Sequence, residues 1–239
     1  MKKILRIVKQ LIYLPINFWQ LFITYLPGPI GFKLRYIFWK NKLNFLGQGV
    51  KIDIGVYFQN AKFISIDDNC WIDKNVVILA GIDYSNREKI FIKNDKYPGR
   101  PGEVFIGKNV HISIGCILSG ISAGIYISNN CTFSAHCKVY AFTSHYRSEK
   151  DPSNRDYCFG SMIEHSRQCI VEGPIFLGEN VGVALDSVIL PGVSIEKNSF
   201  VAINSIVKSS FEENSFIVGN PAKRIRERFT FHFHKNDHE

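Results

Sequence analysis

Residues 177–207 read LGENVGVALDSVILPGVSIEKNSFVAINSIV. Apolar residues recur there at every sixth position: Leu177, Val183, Ile189, Ile195, Val201 and Val207. Four residues after each stand Val181, Ser187, Val193, Ser199, Ser205 and then Phe211, mostly small or β-branched. An amphipathic helix repeats near 3.6 residues and a half-buried strand near 2. A sustained period of six in short β-branched pieces is the mark of a parallel β-solenoid, each hexad being one short strand and a turn. Coils then stack so that backbone groups pair with the coils above and below. Inward slots must be apolar, and slots at the corners small.

The same period runs upstream. Ile66 and Ile72 are followed by Asp67 and Asp73, with Cys70 and Val76 in the fourth slot. Ile106 and Ile112 have Val110 and Cys116 there, and Ile127, Phe133 and Val139 begin the next tract with Cys131 and Cys137. Cys131 and Cys137 are six apart, which is the hexad and not a zinc-ligand spacing. Cysteines in this slot read as small buried hydrophobes. The N-terminus lacks an A-x-A-like cleavage pattern, and six cysteines without a secretory signal point to a reducing compartment.

The net charge of +8 is unevenly distributed. Residues 1–51 hold nine Lys or Arg and no acidic residue, so the remaining 188 carry 20 basic and 21 acidic side chains. A neutral body with a basic end argues against a general nucleic-acid binder and for a local contact with an anionic surface. Between Lys9 and Lys33 there is no charge, but Pro15, Pro27 and Pro29 interrupt the apolar run. The expectation is one or two amphipathic helices over 1–47, with Phe18, Trp19, Phe22, Tyr25, Phe38 and Trp39 at a membrane interface and the cations on headgroups. Packing of the same face on the protein's own body or on another subunit is the alternative. A solenoid over 48–228 and a polar tail over 229–239, with His232, His234 and His238, complete the division.

The period breaks at 81–104 and 145–173, and slips at 120–124. Long aperiodic loops in a compact scaffold are commonly functional. Stepping by six from Ile127 reaches Phe133, Val139 and then His145, so an imidazole arrives where an aliphatic residue is due. A neutral imidazole can take the proton of an attacking nucleophile near pH 7. Glu149, Asp151, Asp156 and Glu164 are carboxylates able to orient it. His111 and His136 lie within the repeats on outer or corner slots, and His165 lies in the second loop.

The pieces ILPGVSI and GNPAKRI, within residues 174–225, resemble the hexapeptide-repeat acyltransferases, in particular the xenobiotic- and galactoside-type O-acetyltransferase branch. The resemblance implies an all-β, left-handed parallel β-helix, a homotrimer, and acetyl-CoA bound between neighbouring coils of two subunits. It implies His145 as general base, since the family has a histidine at the start of the loop before the piece that here is Pro174–Gly178. It assigns Ala184, Leu185, Ala202 and Ile203 to the pantetheine arm, and Lys208, Ser209, Lys223 and Arg226 to the nucleotide end. The family's acceptor-pocket Asn has no clear counterpart here; Ser113 or Ser119 falls nearby, and His111 and His136 are the other candidates to line the acceptor groove, with no metal required. Two departures stand out. Gly182 occupies the place of the family's tryptophan, and Lys208–Ser209–Ser210 stands where the family has Thr-Lys-Asp. The expected activity is O-acetylation of a sugar hydroxyl in surface-polysaccharide or lipid-linked glycan synthesis, in the cytoplasm at the inner face of the membrane. The alternatives are N-acylation of an amino-sugar nucleotide and a non-catalytic scaffold. A γ-type carbonic anhydrase is disfavoured, because His111, His136 and His145 lack the spacing of its zinc ligands.

Overall fold

The computed structural model describes residues 14, 15 and 17–229. Lys2, Lys3, Arg6, Lys9 and the tail histidines His232, His234 and His238 lie outside them. Hexads become strands of mostly two or three residues that sort into three parallel sheets. The first sheet runs from Phe45–Leu46 to Ser194–Ile195 and the third from Tyr57–Gln59 to Ile206–Val207. The second starts at Lys51–Ile52 and closes on the antiparallel hairpin of Ser215–Gly219 and Ala222–Glu227. Each coil gives one strand to each sheet, and like slots stack in register. Leu46, Ile66, Ile106, Ile127, Leu177 and Ile195 form one buried column.

Two corners of this triangular coil are built by one device. The chain turns between the first and second sheets at Gly49, Asn69, Asn109, Asn130, Asn180, Asn198 and Asn214, all at positive φ. Between the second and third sheets it turns at Gly55, Asn75, Gly115, His136, Asp186 and Asn204, again at positive φ. Asn and Gly tolerate the left-handed conformation best, which accounts for the wealth of Asn. The next residue points inward and must be small. Its polar forms are not idle: Cys70, Cys131 and Cys137 donate to Gly107 O, Gly178 O and Ala184 O, and Ser187 to Ala202 O, each in the following coil. Burial pushes the Cys70 and Cys131 thiols up to about 11 and about 12, so they stay protonated and unreactive.

Every irregularity of the period falls at the third corner, where the third sheet hands over to the first sheet of the next coil. Within a coil the inward steps are six residues, as in Ile106, Ile112 and Leu118. The steps from Ile78 to Ile106, Leu118 to Ile127 and Val139 to Leu177 hold the first insertion, the slip and the second insertion. The two insertions are also one structure. Glu88–Phe91 of the first pairs parallel with Cys169–Glu172 of the second, which pairs antiparallel with Phe142–Ser144.

The N-terminal end is closed by helices α1 (17–25) and α2 (Gly28–Lys40). Trp39 of α2 packs edge-on to Phe58 of the first coil, with centroids 4.7 Å apart. It is buried, so it belongs to the core and not to a membrane interface as expected. Arg35 is fully buried; its Nε donates to Ile52 O, and its Nη1 to Ile23 O and Leu26 O. One side chain thus ties the end of α1 to the first coil. Arg35→Ala is expected to strand these carbonyls and cost about 3 kcal/mol. Hydrogen exchange should quicken over 17–40 while the central coils keep their protection.

Candidate active site

His145 is not in a core slot. Ala141 is the last buried residue of its coil, and the slot after Val139 is filled by Leu177 of the next coil. The chain has already left the prism along Phe142–Ser144, and His145 continues that strand, its amide donating to Cys169 O. The step-of-six reading of position 145 is therefore corrected, because the period does not carry across the third corner.

The ring is held by the backbone. His145 Nδ1 lies 2.8 Å from Arg147 O. A carbonyl only accepts, so Nδ1 carries a proton, and in the neutral ring Nε2 keeps its lone pair. Among the described residues no carboxylate orients the ring from the Nδ1 side. Glu149 approaches the other nitrogen, with Oε1 3.6 Å from Nε2, and also receives Arg147 Nε at 3.2 Å. Asp151 receives Ser153, Asp156 lends its carbonyl to Arg167, and Glu164 stands at the start of the short helix His165–Arg167. His165 itself is exposed there.

A residue absent from the sequence reading organises this loop. Glu88, in the first insertion, accepts from Ser148 Oγ at 2.7 Å and from the amides of Glu149 and Lys150 at 2.9 and 2.8 Å. These donors follow Arg147 directly, so Glu88 anchors the segment whose carbonyl sets the tautomer. Its separation of about sixty residues from its partners hid it. Beside it Arg87 donates to Gln168 Oε1 and to Asp83, Lys89 reaches Asp83 O, and Ser122 bonds Glu172. A cavity of about 240 Å³ opens there, lined by Gln59, Asn60, Gly81, Asp83, Arg87 and Phe142.

The other expected site residues divide among the edges. Ala184, Leu185, Ala202 and Ile203 stack on successive coils at the second corner, Leu185 and Ile203 exposed. Ser113 and His136 continue the same ridge below, His136 exposed and left-handed. Lys223 stands beside this corner opposite Val218, while Arg226 lies over the Phe216 ring at 4.8 Å. Lys208 and Ser209 are exposed at the third corner instead, across the width of the third sheet. His111 is on the outer side of the second sheet, its ring tilted against Trp71 with centroids 5.3 Å apart, and 3.7 Å from Asp73. Ser119 is fully buried, so it cannot line an acceptor groove in this conformation. The expectation for Ser119 is corrected on that ground; it stands in the third sheet between Leu79 and Tyr140 of the neighbouring coils. Gly182 has a local reason: a Cβ there would meet Phe200 Cδ2 at 2.8 Å. Among the described residues no cluster of three or more His, Cys, Asp or Glu is arranged to hold a metal ion.

No family model matches the chain. It is 25% identical over 183 residues to dTDP-4-amino-4,6-dideoxy-D-glucose acyltransferase of Escherichia coli, covering 77% of this chain and 81% of that one. It is 28% identical to WbbJ of Escherichia coli K12, named for lipopolysaccharide-biosynthesis O-acetyl transfer, over 72% of this chain and 81% of that one. Among solved structures, a point variant of AntD, an N-acyltransferase from Bacillus cereus, superposes with a TM-score of 0.66. That structure holds dTDP-4-amino-4,6-dideoxyglucose and coenzyme A; the match is 22% identical and covers 82% of this chain and 90% of AntD. The chain therefore shares the β-helix of the hexapeptide-repeat acyltransferases, as expected, with the relatives divided between N- and O-acyl transfer.

Burial would push the Glu88 carboxyl up, but the bonds from Ser148, Lys150 and Glu149 outweigh it and hold it below the usual glutamate range. A depressed folded-state pKa gives a contribution that is complete above the unfolded value of about 4.3. It is lost as pH falls through the folded value. Residues 147–154 should therefore resist protease at neutral pH and become cleavable on acidification below about pH 4. Glu88→Ala should make them cleavable at neutral pH while the β-helix melts near the wild-type temperature.

Proposed function

We propose that the chain is an acyl-CoA-dependent acyltransferase that acylates the amine of a nucleotide-linked amino sugar. The observation that carries the mechanism is His145, with Nδ1–H on the Arg147 carbonyl, so that in the neutral ring Nε2, beside Glu149, is the nitrogen that accepts a proton. The choice of acceptor rests on the likeness to the amino-sugar acyltransferase across most of both chains. N-acylation thus moves ahead of O-acetylation.

In the proposed reaction the acceptor nitrogen attacks the thioester carbonyl and His145 Nε2 takes its proton. A C–N bond forms, the C–S bond breaks, and the thiolate leaves with the proton as free coenzyme A. Bringing the two substrates together supplies much of the rate, and backbone amides would stabilise the oxyanion. The pantetheine arm lies along Ala184, Leu185, Ala202 and Ile203, where small side chains let it approach the backbone. Lys223 and Arg226 meet phosphates. This ridge and His145 leave the third sheet from opposite edges, so a neighbouring copy in a trimer completes each site. Both co-substrates are cytoplasmic metabolites, so the reaction is assigned to the cytoplasm.

The likeness to WbbJ favours a second reading, acetyl transfer to a sugar hydroxyl by the same base. One assay separates the two: acetyl-CoA is supplied with dTDP-4-amino-4,6-dideoxyglucose or with hydroxyl-only sugars, and the acetyl mass shift and thiol release are followed. A hydroxylamine-stable product on the amino sugar supports N-acylation, and a hydroxylamine-labile ester supports the second reading. His145→Ala should lower kcat about 10²–10⁴-fold and leave coenzyme A binding intact. Normal turnover by that variant would remove His145 from the mechanism. Ala202→Trp should block the donor ridge. If sites are shared between copies, co-expressed His145→Ala and Ala202→Trp chains regain part of the activity that each lacks alone.

A further inference from the structure

Helix α1 is amphipathic the wrong way round for a helix that packs on its own protein. Ile23 is its one fully buried side chain among the described residues. Its polar residues face a cavity against the body, which Asn17, Gln20 and Thr24 line together with Trp39 and Gly55, and Gln20 receives Lys42 Nζ. The apolar stripe at 18, 21, 22 and 25 turns away, with Phe18 71% and Tyr25 59% exposed, and Leu14, ahead of that stretch, is exposed as well. Trp19 and Phe22 stack on each other, centroids 5.7 Å apart, and are half exposed. Helix α2 extends this surface with Ile30, 70% exposed, followed at helical spacing by Lys33, Ile37 and Lys40, all exposed.

A monomer rarely shows so large a contiguous apolar patch to water. Its chemistry selects the occupant. Rings with polar tips beside lysines match the boundary between acyl chains and headgroups. Over residues 1–51 the charge is nine positive and none negative. A second copy docking through the same patch would set like charge against like, whereas anionic headgroups meet it with opposite charge. No described helix is long and apolar enough to cross a bilayer. Arg35 fastens α1 to the first coil, so the patch is presented rigidly at one end of the β-helix.

We propose that α1 and the outer side of α2 form a docking surface for an anionic lipid bilayer, lying in the interface without crossing it. This goes beyond the acyl-transfer reading and does not depend on it.

The test is flotation of the full chain with phosphatidylcholine vesicles, with and without a third of phosphatidylglycerol. Binding to the anionic vesicles, weakened by salt, and little binding to the neutral ones are expected. Phe18→Ser with Phe22→Ser should reduce partition at least about tenfold, equivalent to about 1.4 kcal/mol, with acyl transfer to a soluble acceptor unchanged. Lys33→Glu with Lys40→Glu, at exposed positions that leave the fold intact, should reduce binding to the anionic vesicles alone. Trp19 emission should shift to the blue on binding, and Trp19→Phe should lose that shift. Absent flotation, or flotation unchanged in both double variants, overturns the proposal. So does a fall in solution mass by light scattering in the Phe18/Phe22 variant with vesicle binding retained, which would make the patch a subunit contact.

Discussion

The in-register stacking of short parallel strands is the constraint on which this molecule depends. A strand of two or three residues is too short to stand alone, so each is stable only with its partners above and below. In-register stacking makes like slots neighbours, and one column of aliphatic side chains becomes continuous from Leu46 to Ile195. It also makes the corners neighbours. A turn with positive φ in one coil must be matched in the next, and Asn69, Asn109, Asn130, Asn180, Asn198 and Asn214 line up for that reason. At these corners Ser187 and Cys137 enter the core where a carbonyl of the next coil receives them.

Two corners are tightly constrained in this way, and the third is free. Chain can be added there without disturbing a rung, so the insertions and the slip collect on one edge. The added chain then builds its own order. Glu88–Phe91 and Cys169–Glu172 pair across some eighty residues of sequence, and Glu88 fastens the loop that holds His145. A rigid prism thus carries an edge whose sheet and ion pairs are independent of the repeat, the arrangement in which a scaffold fixes a site and loops give it specificity.

The period of six is legible because inward slots tolerate few residue types, and the buried columns coincide with the hexad residues from Ile66 to Val207. The positive-φ corners are legible in principle from the recurrent Asn one residue before each small inward slot. Extrapolating the period to position 145 fails at the third corner, where the count restarts with every coil. Ser119 departs from its expected exposure because it is fully buried in the third sheet beside Leu79 and Tyr140, next to the corner where the count restarts. Glu88 escapes because its partners are joined to it through a sheet with no repeat.

The sequence by itself determined the coil, its inward and corner slots, the likeness to an acyltransferase family, and the basic aromatic N-terminus. These are local properties, repeated often enough for the pattern to exceed the noise of any one residue. Only the tertiary structure decided that both insertions form one sheet and that a backbone carbonyl selects the tautomer of His145. It alone separated the ridge of Ala184, Leu185, Ala202 and Ile203, proposed to hold the donor, from that histidine by the width of a sheet, and turned the apolar side of α1 away from the body. Each of these depends on which distant segments meet, and a pairing made once, between residues far apart in the chain, leaves no period to read.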